Sequence, residues 1–295
     1  MIKRVVAITT RSFLRLEHDQ LVIEQEGEES GRVPFEDIGA LVLESRQAVV
    51  TQRVLSRCVE LGVALLVCDQ RYMPIGLLQS FHSNSLHAKY LRQQIRVTEA
   101  THRRLWGQVV TAKIGHQAIV LERLQRDARH LKALANRVKS GDKENLEAQA
   151  AREYWRLLFG EDFRRRADGQ GVNAMLNYGY AIMRAIIARA VTMAGLHPAL
   201  GIHHSNQYNA FALADDLIEP LRPLVDQHVY KLAEGQGDSA IELTNERKQQ
   251  LLELTATDCV VGGRQLPLMV AAQSYCASVR KALFKEEKAI EFPGI

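Results

Sequence analysis

Residues 172–195 read VNAMLNYGYAIMRAIIARAVTMAG. Laid on a helix, this stretch is apolar on nearly every side, which predicts a helix buried among others rather than one facing water. The pattern around it agrees. From His87 onward, long helical periodicities dominate and strand signals are few. SGDK at 140–143 separates two helices, GEDFRRRADGQG at 160–171 is a polar loop, and HPALGIHHSNQYNA at 197–210 is a second loop. Residues 211–234, FALADDLIEPLRPLVDQHVYKLAE, return to helix with a kink expected at Pro220 or Pro223. The chain from Asn245 forms one or two further helices.

Upstream the period changes. RVVAITT, SFLRLEH and QLVIEQ are short β-branched or alternating runs that predict strands, with HDQ and EGEESG as the turns between them. VPFEDIGALVLES adds a strand with Pro34 at its edge, TQRVLSRCVELG a helix stopped at Gly62, VALLVCD a buried strand, and RYMPIGLL a turn leading into one more. The fold class is therefore α+β. A small β-rich domain over residues 1–85 precedes a larger all-α domain over 86–295, with no internal repeat and no low-complexity linker.

Composition narrows the function. The 46% hydrophobic and 24% charged residues suit an ordinary globular protein. No apolar run approaches the ~18 residues of a membrane span, and MIKRVVAITT reads as a first strand rather than a signal peptide. A cytoplasmic protein with no membrane partner is expected. Cys58, Cys68, Cys259 and Cys276 form no CxxC, which argues against a zinc site or a disulfide framework, and Cys68 ends an apolar run as a core residue. Net charge is only +4, but it is unevenly spread. Residues 1–88 carry nine Lys/Arg against eleven Asp/Glu, whereas residues 89–139 carry twelve against three. A basic block of that kind suits a polyanion, although a solvated helix surface has the same composition.

Three features could carry chemistry. In NLEAQAAREYWRLLFG, Glu147 falls within the stripe formed by Ala150, Ala151, Tyr154 and Leu158. A carboxylate on an apolar face needs a cation, a donor or a metal; a helix-start carboxylate favouring the dipole is the structural alternative. His203 and His204 share the loop that precedes residue 211, and imidazole ligates manganese and similar ions. In ADDLIEP, Asp216 and Glu219 are three residues apart and so share a helix side, while Asp215 turns away. Carboxylates with a nearby histidine favour magnesium or manganese over structural zinc. Beside a basic region, such an ion would act as a Lewis acid on a phosphodiester.

The order LEAQAAREYWRLLFG, VNAMLNYGYAIMRA, AGLHPALGIHHSNQYNAFALADDLIEPLRPLVD resembles the CRISPR-associated integrase and endonuclease, the first Cas protein, which acquires spacers. GRVPFEDIGALVLES and VALLVCDQRYMPIGLL are similar to its amino-terminal strands, so the resemblance covers nearly the whole chain. It implies that Glu147, in a helix where Ala148 replaces the family's usual glycine, His204 and Glu219 are the catalytic metal ligands, with Mg or Mn as cofactor. His204 stands twelve residues before Asp216 and fifteen before Glu219, which is similar to the family spacing. Asp216 is then an alternate or supporting ligand and His203 the competing histidine. A glutamate at 219 resembles the branch that accompanies single-protein effector nucleases. The resemblance also implies a homodimer joined through the β domain. Two such dimers would bridge a dimer of the small ferredoxin-like second Cas protein. The assembly would hold duplex DNA with single-stranded 3′ ends and insert it into CRISPR repeat DNA by 3′-hydroxyl transesterification. Arg92, Arg96, Arg103, Arg104, Arg164, Arg165 and Arg166 are the candidate DNA-backbone contacts. Two other classes share these features: a general metal nuclease for branched DNA or RNA, and a non-catalytic DNA-binding scaffold.

Overall fold

The computed structural model describes residues 4–70, 74–78, 80, 84–234 and 241–295. The amino-terminal part holds two four-stranded sheets. In the first, β1 (Arg4–Ile8), β5 (Ile38–Leu43) and β7 (Ala64–Cys68) run parallel, and β8 (Pro74–Leu78) closes the edge antiparallel to β7. In the second, β2 (Phe13–Glu17), β3 (Gln20–Gln25) and β4 (Glu28–Pro34) form an antiparallel meander, and β6 (Val49–Val50) lies parallel to β2. His18 and Asp19 both take positive φ (46° and 58°), the geometry of a two-residue hairpin turn. EGEESG is not a turn throughout. Only Glu26 and Gly27 turn, and Glu28 onward forms β4, a charged sheet edge of the sort that resists further pairing. VPFEDIGALVLES is likewise split: β4 ends at Pro34, Phe35–Asp37 make a single 3-10 turn, and β5 starts at Ile38. The turn foreseen at 71–73 lies outside the described residues.

Helix α1 (Gln52–Leu61) ends where foreseen, at Gly62 in left-handed geometry. With Leu14, Leu21, Phe35, Ile38 and Leu65 it encloses the smaller core through Val54 and Cys58. The alternation of β5 and β7 serves both halves of the protein. Leu41 and Leu65 face this core, while Ala40, Val42, Ala64 and Leu66 face the larger helical one.

The larger core is built on α6 (Val172–Met193), the helix of the opening stretch, buried along most of its length. Around it stand α2 (His87–Ile95), α3 (Glu99–Arg123), α4 (Arg129–Arg137), α5 (Leu146–Phe159), α7 (Ala212–Ile218), α8 (Arg222–Ala233), α9 (Asn245–Glu253) and α10 (Leu268–Leu283). The kink expected near Pro220 is a full break: Glu219–Leu221 form a 3-10 turn between α7 and α8. On α3, His116 Nδ1 lies 2.6 Å from the Pro220 carbonyl oxygen exposed by that break.

The carboxy-terminal part also contains two strands. Asp258–Val261 (β9) and Arg264–Pro267 (β10) pair as an antiparallel hairpin between α9 and α10. Its turn is Gly262–Gly263, with φ of 56° and 75°, values that glycine adopts without a steric penalty. The two halves are joined by a buried polar link. Glu44, beyond β5, accepts from Lys248 Nζ of α9 at 3.0 Å and from the Tyr178 hydroxyl of α6 at 2.5 Å. The four cysteines are buried free thiols, and burial raises the Cys58 and Cys68 thiols to about 12. Among the described residues, no helix is long and apolar enough to cross a membrane.

Candidate metal centre

Glu147 lies in the first turn of α5. Asp142, from the SGDK break, positions that turn: its carboxylate accepts the Leu146 and Glu147 backbone N–H groups at 2.9 and 3.0 Å. Glu219 begins the 3-10 turn forced by Pro220. The two carboxylates, 72 residues apart in sequence, meet at one positive centre, the ammonium of Lys113 on α3. Lys113 Nζ is 2.5 Å from Glu147 Oε1 and 2.5 Å from Glu219 Oε2. Glu219 also accepts from Arg222 Nε at 2.8 Å. Burial alone would raise the Glu219 carboxyl, but Lys113 and Arg222 outweigh it and hold its pKa at about 2. Burial alone would likewise lower the Lys113 pKa, and the two carboxylates reverse that and keep it above the ordinary lysine value.

Asp216 and Glu219, three residues apart, take different partners: Glu219 the Lys113 and Arg222 cations, Asp216 the loop that carries His204. Asp216 is fully buried and turns to the 201–204 loop, where it accepts the backbone N–H groups of Ile202 (2.6 Å), His203 (2.9 Å) and His204 (3.3 Å). Its Oδ1 also accepts a hydrogen bond from His204 Nδ1 at 2.5 Å. That bond, reinforced by the charges of Glu219 and Asp215, raises the His204 pKa. With Nδ1 committed to a carboxylate, neutral His204 carries its lone pair on Nε2. His203 is occupied differently: its ring stacks on Trp106 of α3, centroids 4.2 Å apart and planes within 7°. Asp215 turns away to Arg184, 2.8 Å distant.

Among the described residues, no three His, Cys, Asp or Glu side chains stand together closely enough to hold one metal ion. Glu147 and Glu219 are joined through Lys113, and His204 stands on Asp216. The donor chemistry nonetheless suits a hard divalent cation, since both carboxylates direct an oxygen at one positive charge. Lys113 escapes a sequence reading because it sits within the basic block and looks like any helix-surface lysine. Its significance comes from contacts 34 and 106 residues away.

Gly201 shows how tightly the loop is drawn. A Cβ there would collide with the His204 carbonyl oxygen and approach Asp216 Oδ2 to 2.9 Å. Gly201→Ala is therefore expected to cost about 1–3 kcal/mol, as overpacking does, and to lower activity by displacing His204. A urea-unfolding midpoint equal to wild type would contradict this.

A further buried carboxyl lies near Arg222. Asp226 of α8 accepts from the Tyr154 hydroxyl at 3.1 Å and from the Tyr180 hydroxyl. Burial raises its pKa to about 7 against the two tyrosine hydrogen bonds and the nearby Arg222 and Arg165. The Tyr180 ring also meets both guanidiniums, Arg165 at 5.2 Å and Arg222 at 4.4 Å from its centroid.

Part of the basic block is engaged within the chain. Arg104 donates to the carbonyls of Lys288 and Ala282, Arg123 to Gln227 and Ile295, and Arg126 to Leu158 and Tyr230. Arg165 donates to Asn173 and Asn177, and Arg103 pairs with Glu99. Arg92, Arg96, Arg103, Arg164 and Arg166 are exposed.

Over residues 5–256 the chain matches the family described as CRISPR associated protein Cas1. It is 39% identical to the CRISPR-associated endonuclease Cas1 of Neisseria meningitidis serogroup C, with 99% of this chain and 96% of that protein aligned. A second relative, from Pyrobaculum aerophilum, is 28% identical over 95% of this chain and 99% of its own. Among solved structures, a casposase bound to integration product superposes with a TM-score of 0.79 at 17% identity, covering 99% of this chain and 93% of that one. A Cas1 protein from Thermotoga maritima superposes with a TM-score of 0.74 at 15% identity, over 97% and 99% of the two chains. A chain of a Cas6-RT-Cas1–Cas2 complex gives 0.73 at 18% identity, over 97% of this chain and 35% of that one. The sheet pair, the helical core and the sequence match agree: the chain belongs to the Cas1 family.

Proposed function

We propose that this protein is a divalent-metal-dependent DNA integrase and endonuclease that inserts short duplexes into a CRISPR array. The observation that carries the reading is the convergence of Glu147 and Glu219 on one cationic centre near the Asp216-held His204, in a chain of the Cas1 family. Glu147, His204 and Glu219 would hold Mg or Mn. The ion would supply Lewis-acid polarisation of the scissile phosphodiester and neutralise charge developing there. The protein contributes orientation. Asp216 fixes the His204 ring and the backbone that carries it, Asp142 fixes the start of α5, and Arg222 steadies Glu219. The attacking group would be the 3′-hydroxyl of the incoming strand, so no protein nucleophile is needed.

The proposed partners follow the family. The chain would act as a homodimer joined through the β-rich part. Two dimers would flank a dimer of the second Cas protein, Cas2, and hold DNA with single-stranded 3′ ends against repeat DNA. The exposed arginines 92, 96, 103, 164 and 166, with Arg104 and Arg165 behind them, would contact phosphates. Binding would then weaken steeply with salt and carry little sequence preference.

The test is incubation of a short duplex, supercoiled plasmid carrying a repeat, and Cas2, with Mn2+ or with chelator. Joined strands that depend on the metal are the expected product. Hydrolysed ends without joining would indicate a general nuclease, and metal-independent binding without either product would indicate a scaffold.

A further inference from the structure

We propose that Lys113 is a positioning residue that serves as a resident cation, holding Glu147 and Glu219 together until a divalent ion takes the positive position between them. The proposal rests on the reading of these two carboxylates as metal ligands.

Geometry carries it. Glu147 belongs to α5 and Glu219 to the break between α7 and α8, and α3 packs against both elements. Lys113 projects from the middle of α3 and reaches one oxygen of each carboxylate at 2.5 Å. Glu219 is 7% exposed. Glu147 is partly exposed, its side chain at 24%, and two carboxylates drawn to one ammonium at 2.5 Å would repel unless a positive charge stood between them. Their partners are unequal. Glu219 has a second cation in Arg222 at 2.8 Å, whereas Lys113 is the ion-pair partner that the structure gives Glu147. Departure of the ammonium would therefore leave Glu219 anchored and Glu147 open to a new cation.

The residue type fits that task. An ammonium is a compact charge on a flexible four-carbon stem with three donors, enough to satisfy two carboxylates and still swing aside. A guanidinium fork would bind one carboxylate by two parallel bonds and leave less readily. The Lys113 ammonium occupies the place at which one oxygen of each carboxylate is directed.

The experiment compares full-length wild type with Lys113→Met and Lys113→Gln at fixed pH. Mn2+ affinity is read by titration calorimetry, and Tm is read in EDTA and in saturating Mn2+. Both variants are expected to bind Mn2+ at least about tenfold more tightly, since one competing charge at contact distance is removed. Their Tm in EDTA should fall, and the gap to wild type should close in saturating Mn2+. The double variant Lys113→Met/Glu219→Gln removes a carboxylate along with the cation and should recover most of the lost Tm in EDTA. It provides the reading if Lys113→Met does not fold. Unchanged or weaker Mn2+ binding by the variants, where wild type binds Mn2+, overturns the role of Lys113 alone. No Mn2+ binding by wild type overturns the metal reading beneath it.

Discussion

Glu219→Ala is expected to lower strand transfer by at least about a thousandfold, on the order of 4 kcal/mol of barrier at 1.36 kcal/mol per decade. The size follows from the site. Glu219 has a pKa of about 2 and is therefore a full negative charge at any working pH. Its removal leaves Lys113 and Arg222, two cations, around the space where a divalent ion would have to enter. Glu147→Ala and His204→Ala should fall in the same range. Asp216→Ala should cost less, about 10- to 100-fold, because it acts through the orientation of His204. His203→Ala should cost least of the five, its ring being stacked on Trp106. Plasmid integration assays on variants with wild-type circular dichroism measure the ranking. Full activity in Glu219→Ala would falsify the assignment of the site.

The second large effect concerns stability. Lys248 is 2% exposed and Glu44 1%, so their ion pair lies in a low-dielectric interior. Lys248→Met leaves the buried Glu44 carboxylate with the Tyr178 hydroxyl as its side-chain partner among the described residues, and breaking one side of such a pair costs about 3–5 kcal/mol. Urea denaturation should show this as a lower midpoint. Replacing both members, as Glu44→Leu/Lys248→Met, should recover much of the loss, because no charge is then stranded. If the double variant is as unstable as the single one, packing rather than charge explains the effect.

Much of the fold was legible because hydrophobic period is a local property. The all-round apolar run at 172–195 became α6, and the short alternating runs became β1 to β3. What escaped depends on context. EESGRVP is too polar to look like a strand, yet an exposed sheet edge tolerates such residues. The β9–β10 hairpin carried a signal in its Gly262–Gly263 pair, but it is flanked by strands of only four residues and enclosed by helical sequence. Sequence offered individual candidate residues, whereas their arrangement around Lys113 and Asp216 could not be read from it. Asp216 and Glu219 looked like one pair by helical spacing, yet Asp216 is taken by the 201–204 loop and Glu219 by Lys113 and Arg222. Lys113 could be singled out only once α3, α5 and the Glu219 turn were packed. The internal contacts of the basic block were hidden for the same reason, since Arg104, Arg123 and Arg126 reach carbonyls that sequence does not bring near.

The stack of His203 on Trp106 has an optical consequence. The chain holds two tryptophans, and the other, Trp155, lies in a separate group of rings with Phe159 and Phe163. With Trp155 replaced by phenylalanine, indole fluorescence would come from Trp106 alone. Any lifting of the histidine loop, by a bound strand or a bound ion, would change the surroundings of that one fluorophore. The protein thus carries an intrinsic emission gauge beside its candidate site, readable in solution without a label.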